Sequence, residues 1–151
     1  MKALVQRVSS ASVTVDDHIT GSISNGFLVL LGIGKSDTIS DMKYCAEKIM
    51  NLRVCEDSNG KMNESLLSSG GNLLVVSQFT LYADIRKGNR PSFTHAALPE
   101  DARLLYDDFC EYVRSKGFPN LQTGVFAAHM RVASVNDGPV TILIESPGVT
   151  V

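Results

Sequence analysis

Apolar and polar residues alternate from Lys2 to Val8 and again from Ser12 to Val15, the period of a half-buried strand, and a polar turn follows at Asp16-Asp17-His18. After Asn25-Gly26 the run Phe27-Leu28-Val29-Leu30-Leu31-Gly32-Ile33 is apolar on both faces, which predicts a central strand covered on both sides. Asn72-Leu73-Leu74-Val75-Val76 predicts a second buried strand, and Leu52 to Cys55 a short one running into the turn Asp57-Ser58-Asn59-Gly60. Ser68-Ser69-Gly70-Gly71 reads as a loop. Helical spacing enters twice. Thr38 can cap a helix with Asp41 in its first turn, and Ile39, Met42, Cys45, Ala46 and Ile49 form a stripe expected in the core. Pro99, Glu100 and Asp101 open a second helix, with Ala102, Leu105, Phe109 and Tyr112 on one face and Arg114, Lys116 and Gly117 at its close. Last come Met130 to Val135 and Val140 to Glu145, two strand-like runs joined by Asn136-Asp137-Gly138-Pro139, where Asp-Gly signals a hairpin. Pro139 has no N–H for a ladder and belongs at a strand start, an edge or a bulge. Taken alone, the Gly138-Pro139 bond reads as trans.

Two helices among seven or eight strands predict an α/β fold with a mixed or antiparallel sheet. A length of 151 residues with 44% hydrophobic content suits a single domain, 1–151. The net charge of −2 limits any nucleic-acid contact to a few local phosphates. Cys45, Cys55 and Cys110 are odd in number and far apart, arguing against a disulfide framework or a zinc site, and Cys45 reads as a small buried hydrophobe. The opening Met1-Lys2-Ala3-Leu4-Val5-Gln6-Arg7 is too polar for a signal peptide and no run reaches transmembrane length, so a cytoplasmic protein without a membrane partner is expected.

The candidate chemistry follows the Val75-Val76 strand. Ser77, Gln78 and Thr80 put hydrogen-bonding side chains where a buried strand emerges. Arg86-Lys87-Gly88-Asn89-Arg90 sets three cations beside a glycine, a loop suited to a phosphate or simply to solvent. Phe79, Tyr82 and Phe93 can stack unpaired bases or pack the core. Alternation puts Arg7 on the face of Val5, so its guanidinium either finds carbonyls or a carboxylate or snorkels to solvent. His18, His95 and His129 have neither metal nor triad spacing, and Ser77 lacks the G-x-S-x-G elbow. Thr80 is internal and has no amine of its own to activate it. What remains suits orienting an ester and stabilising an oxyanion better than attacking it.

SQFTLYAD from Ser77, KGNRPSF from Lys87 and NDGPVT from Asn136, in that order and at this chain length, together resemble the D-aminoacyl-tRNA deacylases, as does the opening MKALVQRVSSASVTV. The resemblance implies a D-aminoacyl-tRNA deacylase-like α/β fold and a homodimer with no cofactor or essential metal. It implies an editing hydrolase for D-aminoacyl-tRNA that also clears mischarged glycyl-tRNA. It further implies that Gly138-Pro139 is cis and enters the partner subunit's pocket, that Ser77, Gln78, Phe79 and Thr80 form the other wall, and that Met130 lines the region. Arg7 resembles an arginine that steadies the Gly-Pro loop. Thr80 matches a residue proposed as nucleophile, while a competing account gives proton transfer to the ribose 2′-hydroxyl; the residues here favour the second. Arg86, Lys87 and Arg90 are expected to meet the acceptor end of tRNA. His129 stands where many relatives carry an acidic residue. Two other readings remain, an acyl hydrolase using Thr80 covalently and a non-catalytic module that binds RNA ends or phosphate.

Overall fold

The computed structural model describes residues 1–148. In chain order the elements are β1 (Lys2–Val15), β2 (His18–Ile23), β3 (Gly26–Gly32), α1 (Ile39–Asn51), β4 (Cys55–Glu56), β5 (Met62–Glu64), α2 (Leu66–Ser69), β6 (Asn72–Ser77), a 3-10 turn (Phe79–Tyr82), α3 (Pro99–Ser115), β7 (Gln122–Thr123) and β8 (Arg131–Glu145). β1 is the spine. Through Lys2–Val8 it pairs antiparallel with β3, and through Ala11–Val15 with β2, while β8 lies antiparallel along its other edge. From β3 the sheet continues in parallel to β6 and then β7, so parallel and antiparallel ladders coexist as the mixed-sheet expectation requires.

Alternation along β3 and β6 divides the core in two. Phe27, Val29, Leu31, Leu73 and Val75 face α1 and α3, meeting Met42, Cys45, Ala46, Ile49, Phe109 and Val113. Leu28, Leu74 and Val76 face the other way, onto Val8, Ala11, Val13 and Ile23. Both central strands are thus covered on both sides, as their unbroken apolar runs predicted.

Several expectations need correction. The two N-terminal runs form one continuous strand, and the turn after it is only Asp16-Asp17, both with positive φ, because His18 already pairs with Val15. Leu52–Val54 lie outside any strand; only Cys55 and Glu56 pair, with β5. Ser68 and Ser69 belong to the single helical turn α2, whose cap Ser65 accepts from the Ser68 N–H at 3.0 Å, before Gly70 ends it in the left-handed region. Ile39, at the first position of α1, is 46% exposed, and Met50 takes its place in the buried stripe. On α3 the buried face is Tyr106, Phe109, Cys110 and Val113, so Ala102, Leu105 and Tyr112 sit at its margin.

The largest correction concerns the final runs, which are not a hairpin. Arg131–Asn136 pairs with Val8–Thr14, and Thr141–Glu145 with Lys2–Gln6, so the chain keeps its direction along β1. Asp137–Val140 stand out as a bulge opposite Arg7 alone. Pro139 brings no N–H, and Gly138 has φ 137°, where a Cβ would lie 2.7 Å from Val140 Cγ2. The Asp-Gly signal reports a need for positive φ, which a bulge meets as well as a turn does. The Gly138-Pro139 bond is cis, against the reading of this stretch alone and as the resemblance implied.

Candidate active site

The parallel ladder ends with Ser77 opposite Leu31, and the Gln78 N–H donates to Leu31 O at 2.8 Å. The chain then coils into the 3-10 turn, where the Leu81 N–H donates to Gln78 O and the Ala83 N–H to Thr80 O. The first N–H groups of a helical turn have no partner within it. Here the N–H groups of Phe79 and Thr80 have none among the described residues. The turn is anchored from below by Tyr82, which is buried and donates its hydroxyl to Asp37 Oδ2 at 3.2 Å. Burial and the Asp37 carboxylate push that hydroxyl far above the ordinary tyrosine range. Asp37 also accepts from the Gly34 N–H at 2.6 Å and from the Met1 ammonium at 2.5 Å.

Above the turn opens a cleft of about 660 Å³, the size of a small-molecule site, whose walls include Ser77, Gln78, Phe79, Phe93, Phe126 and Met130. Phe79 and Phe93 meet edge to face with centroids 5.0 Å apart. His129 and Lys35 line it too, so the residue that the resemblance marks as a departure faces the cleft. Thr80 does not line it; its side chain is exposed and its hydroxyl accepts from Gln78 Nε2.

Two further groups lie outside the cleft wall. Arg7 has its side chain only 11% exposed and spans two segments, donating from Nε to Asp137 O at 3.0 Å and from Nη1 to Val54 O at 2.7 Å. Glu56 and the Asp137 carboxylate stand 3.7 and 3.8 Å from it. In the basic loop, Asp84 and Ser92 exchange both backbone hydrogen bonds, at 2.8 and 2.9 Å, and so close its base. Arg86 folds back as a fork onto Asp84, at 2.9 and 2.7 Å, which holds the Asp84 carboxyl well below the usual range. Lys87 and Arg90 are exposed and have no ion-pair partner among the described residues.

A family model described as D-Tyr-tRNA(Tyr) deacylase matches residues 4–145. The chain belongs to that family. Proteins named D-aminoacyl-tRNA deacylase from Petrotoga mobilis and Clostridioides difficile are each 57% identical over 146 residues, covering 97% of this chain and 97% of the relative. One of the same name from Fervidobacterium nodosum is 56% identical with the same coverage. A solved structure described as c-Myc DNA Unwinding Element Binding Protein is similar at 45% identity and a TM-score of 0.94, covering 98% of this chain and 100% of that one. The structure of a probable eukaryotic D-amino acid tRNA deacylase, 17% identical, shares the fold with a TM-score of 0.82 over 95% and 98% of the two chains.

Of the residues that the sequence singled out, the fold gathers Ser77, Gln78, Phe79 and Met130 around one cleft. Thr80 adjoins it, while Gly138, Pro139 and Arg7 form a second cluster and Arg86, Lys87 and Arg90 a third. Lys35, Phe126 and the Ala96–Leu98 segment line the cleft without any local sequence signal, since each arrives from a loop that only tertiary pairing brings in. Burial pushes the Cys45 and Cys110 thiols up to about 11, in keeping with cysteines that pack rather than react. Among the described residues no cluster of His, Cys, Asp or Glu is arranged to hold a metal ion, and no helix is long and apolar enough to cross a membrane.

Proposed function

We propose that this protein is a D-aminoacyl-tRNA deacylase, an ester hydrolase that releases the free amino acid and tRNA and thereby edits mischarged tRNA. Family membership supports the reaction class, and one observation carries it to a site: the N–H groups of Phe79, which lines the cleft beside Ser77 and Gln78, and of the next residue, Thr80, have no partner among the described residues. Such a pair suits the oxyanion that develops when an ester carbonyl is attacked. Ser77 and Gln78 orient the aminoacyl ester, and Phe79 and Met130 cover its apolar parts. Water adds to the carbonyl carbon, the bond to the ribose 3′ oxygen breaks, and the neighbouring 2′-hydroxyl of the tRNA relays the proton to that oxygen. Thr80 contributes its N–H and not its hydroxyl.

Selectivity in this reading comes from the bulge of a second copy. Arg131–Val135 of β8 are all exposed, with Val132 and Val135 at 39% and 57%, a surface suited to a twofold contact. Val132 lines the cleft and Gly138 lies six residues further along the same strand, so a twofold axis passing near Val135 carries each bulge to the other's cleft. The homodimer then supplies Gly138 and Pro139 as a main-chain wall where an L side chain needs room, steadied by Arg7. A D side chain points elsewhere, and glycine has nothing to exclude, so glycyl-tRNA is also hydrolysed. Lys87 and Arg90, with Arg86 beside them, meet phosphates of the acceptor end, few enough to agree with a net charge of −2.

Incubation with D-tyrosyl-, L-tyrosyl- and glycyl-tRNA tests the proposal. D-tyrosyl- and glycyl-tRNA are expected to be deacylated and L-tyrosyl-tRNA to decay at its spontaneous rate. Equal, background decay of all three would remove the editing function.

A further inference from the structure

We propose that Asn136 is a positioning residue for substrate discrimination, its side-chain amide clamping the neck of the bulge that presents Gly138 and Pro139. The inference rests on the reading of that bulge as the chiral filter. A bulge takes backbone groups out of the ladder and leaves them in need of other partners. Arg7 takes the Asp137 carbonyl on one side. On the other, Asn136 Oδ1 accepts from the Val140 N–H at 2.9 Å, and Asn136 Nδ2 donates to Thr141 Oγ1 at 2.8 Å. The amide orientation follows from its partners, since a backbone N–H can only donate and so must face the oxygen. Gln6 Nε2 donates to the same Thr141 hydroxyl oxygen at 3.3 Å, tying the neck to β1.

Both ends of the neck are also fixed in register, Asn136 opposite Val8 and Thr141 opposite Gln6. The two β1 partners are two residues apart, whereas the β8 residues are five apart, so the surplus chain must be gathered at the neck or splay. The Asn136 amide bridges that opening with two hydrogen bonds. Without it the bulge is held from the Arg7 side only, and a wall built of main chain loses its fixed attitude.

The test measures deacylation of D- and L-tyrosyl-tRNA by N136A, N136D, T141V and G138A, each checked for folding by circular dichroism and thermal melting. N136A is expected to lower the D-to-L rate ratio about tenfold, the effect of losing two modest hydrogen bonds at a specificity element. N136D should recover the ratio to within about threefold of the parent, because a carboxylate accepts from both the Val140 N–H and the Thr141 hydroxyl. T141V, which keeps the shape and removes the hydroxyl, should lower the ratio and serves as the deciding variant if N136A does not fold. A folded N136A, or in its place T141V, with an unchanged ratio overturns the clamp, as does an N136D no better than N136A. If G138A alone loses the ratio, the filter stands without the clamp. Unchanged ratios in G138A and N136A together remove the filter itself.

Discussion

Ser77 leaves β6, a strand whose Leu73–Val76 are fully buried, whereas Gly138 rises from β8, where Arg131–Val135 are all exposed. The first segment is positioned by the core: Gln78 is tied to Leu31, and Tyr82 is held beneath the turn by Asp37. The second is positioned by long polar side chains reaching across a gap, Arg7 on one flank and Asn136 on the other. A site that must stabilise charge gains from rigid backbone dipoles, which the buried sheet supplies without reorganisation. A surface that must exclude one enantiomer needs only shape, and can be carried on an exposed strand if its neck is fastened. The contrast implies that damage to the first segment removes catalysis, while damage to the second removes selectivity and leaves the core standing.

The largest effect is expected from F79P, which deletes the Phe79 N–H, one of two in the turn without a partner among the described residues, while keeping a residue suited to the first position of a helical turn. D-tyrosyl-tRNA turnover should fall about 10²–10³-fold, as for loss of an oxyanion donor, with the melting curve little changed. Turnover near the parent level would place the oxyanion elsewhere. G138A comes next. Its methyl would lie 2.7 Å from Val140 Cγ2 and 2.9 Å from Val140 N at a φ of 137°, so the bulge must move. A displacement of about 1 Å can cost about a hundredfold in a positioned reaction, and the backbone conformation itself about 1–3 kcal/mol of stability in chemical denaturation. An unaltered D-to-L ratio would detach the bulge from selectivity. T80A should have the smallest effect, turnover within about threefold of the parent, since its hydroxyl is exposed and meets only Gln78 Nε2. Complete loss of turnover with folding and tRNA binding intact would instead favour a covalent threonine mechanism.

Much of this contrast was legible in the sequence. The unbroken apolar runs of β3 and β6 announced strands covered on both faces, and Ser77, Gln78 and Thr80 were marked by their place at the end of one of them, although Thr80 does not line the cleft. The bulge was harder. Asp-Gly between two apolar runs requires positive φ but does not say whether the chain then reverses, and only pairing with the whole of β1 decides that it does not. Lys35 and Phe126 were invisible for a related reason, because their place in the cleft depends on loops brought in from distant parts of the chain. Arg7 was noticed as a guanidinium in need of acceptors, which the fold supplies as the carbonyls of Val54 and Asp137. Asn136 entered only as the first residue of NDGPVT and was given no role of its own, since its two hydrogen bonds exist only because Val140 and Thr141 return to it.

The central claim is that each working site joins the cleft of one subunit to the bulge of the other, and subunit mixing tests it most directly. F79P disables the cleft and G138A disables the bulge, so neither homodimer alone is expected to hydrolyse D-tyrosyl-tRNA selectively, the first being nearly inactive and the second having lost its D-to-L ratio. Unfolded together in equal amounts and refolded, half of the dimers combine the two chains, and in each of those one site pairs an intact cleft with an intact bulge. Selective D-tyrosyl-tRNA hydrolysis is then predicted to return to about a quarter of the parent activity per subunit. A mixture no more selective for D-tyrosyl-tRNA than the sum of its separate homodimers would contradict the account, because it would mean that each bulge serves its own chain's cleft or none.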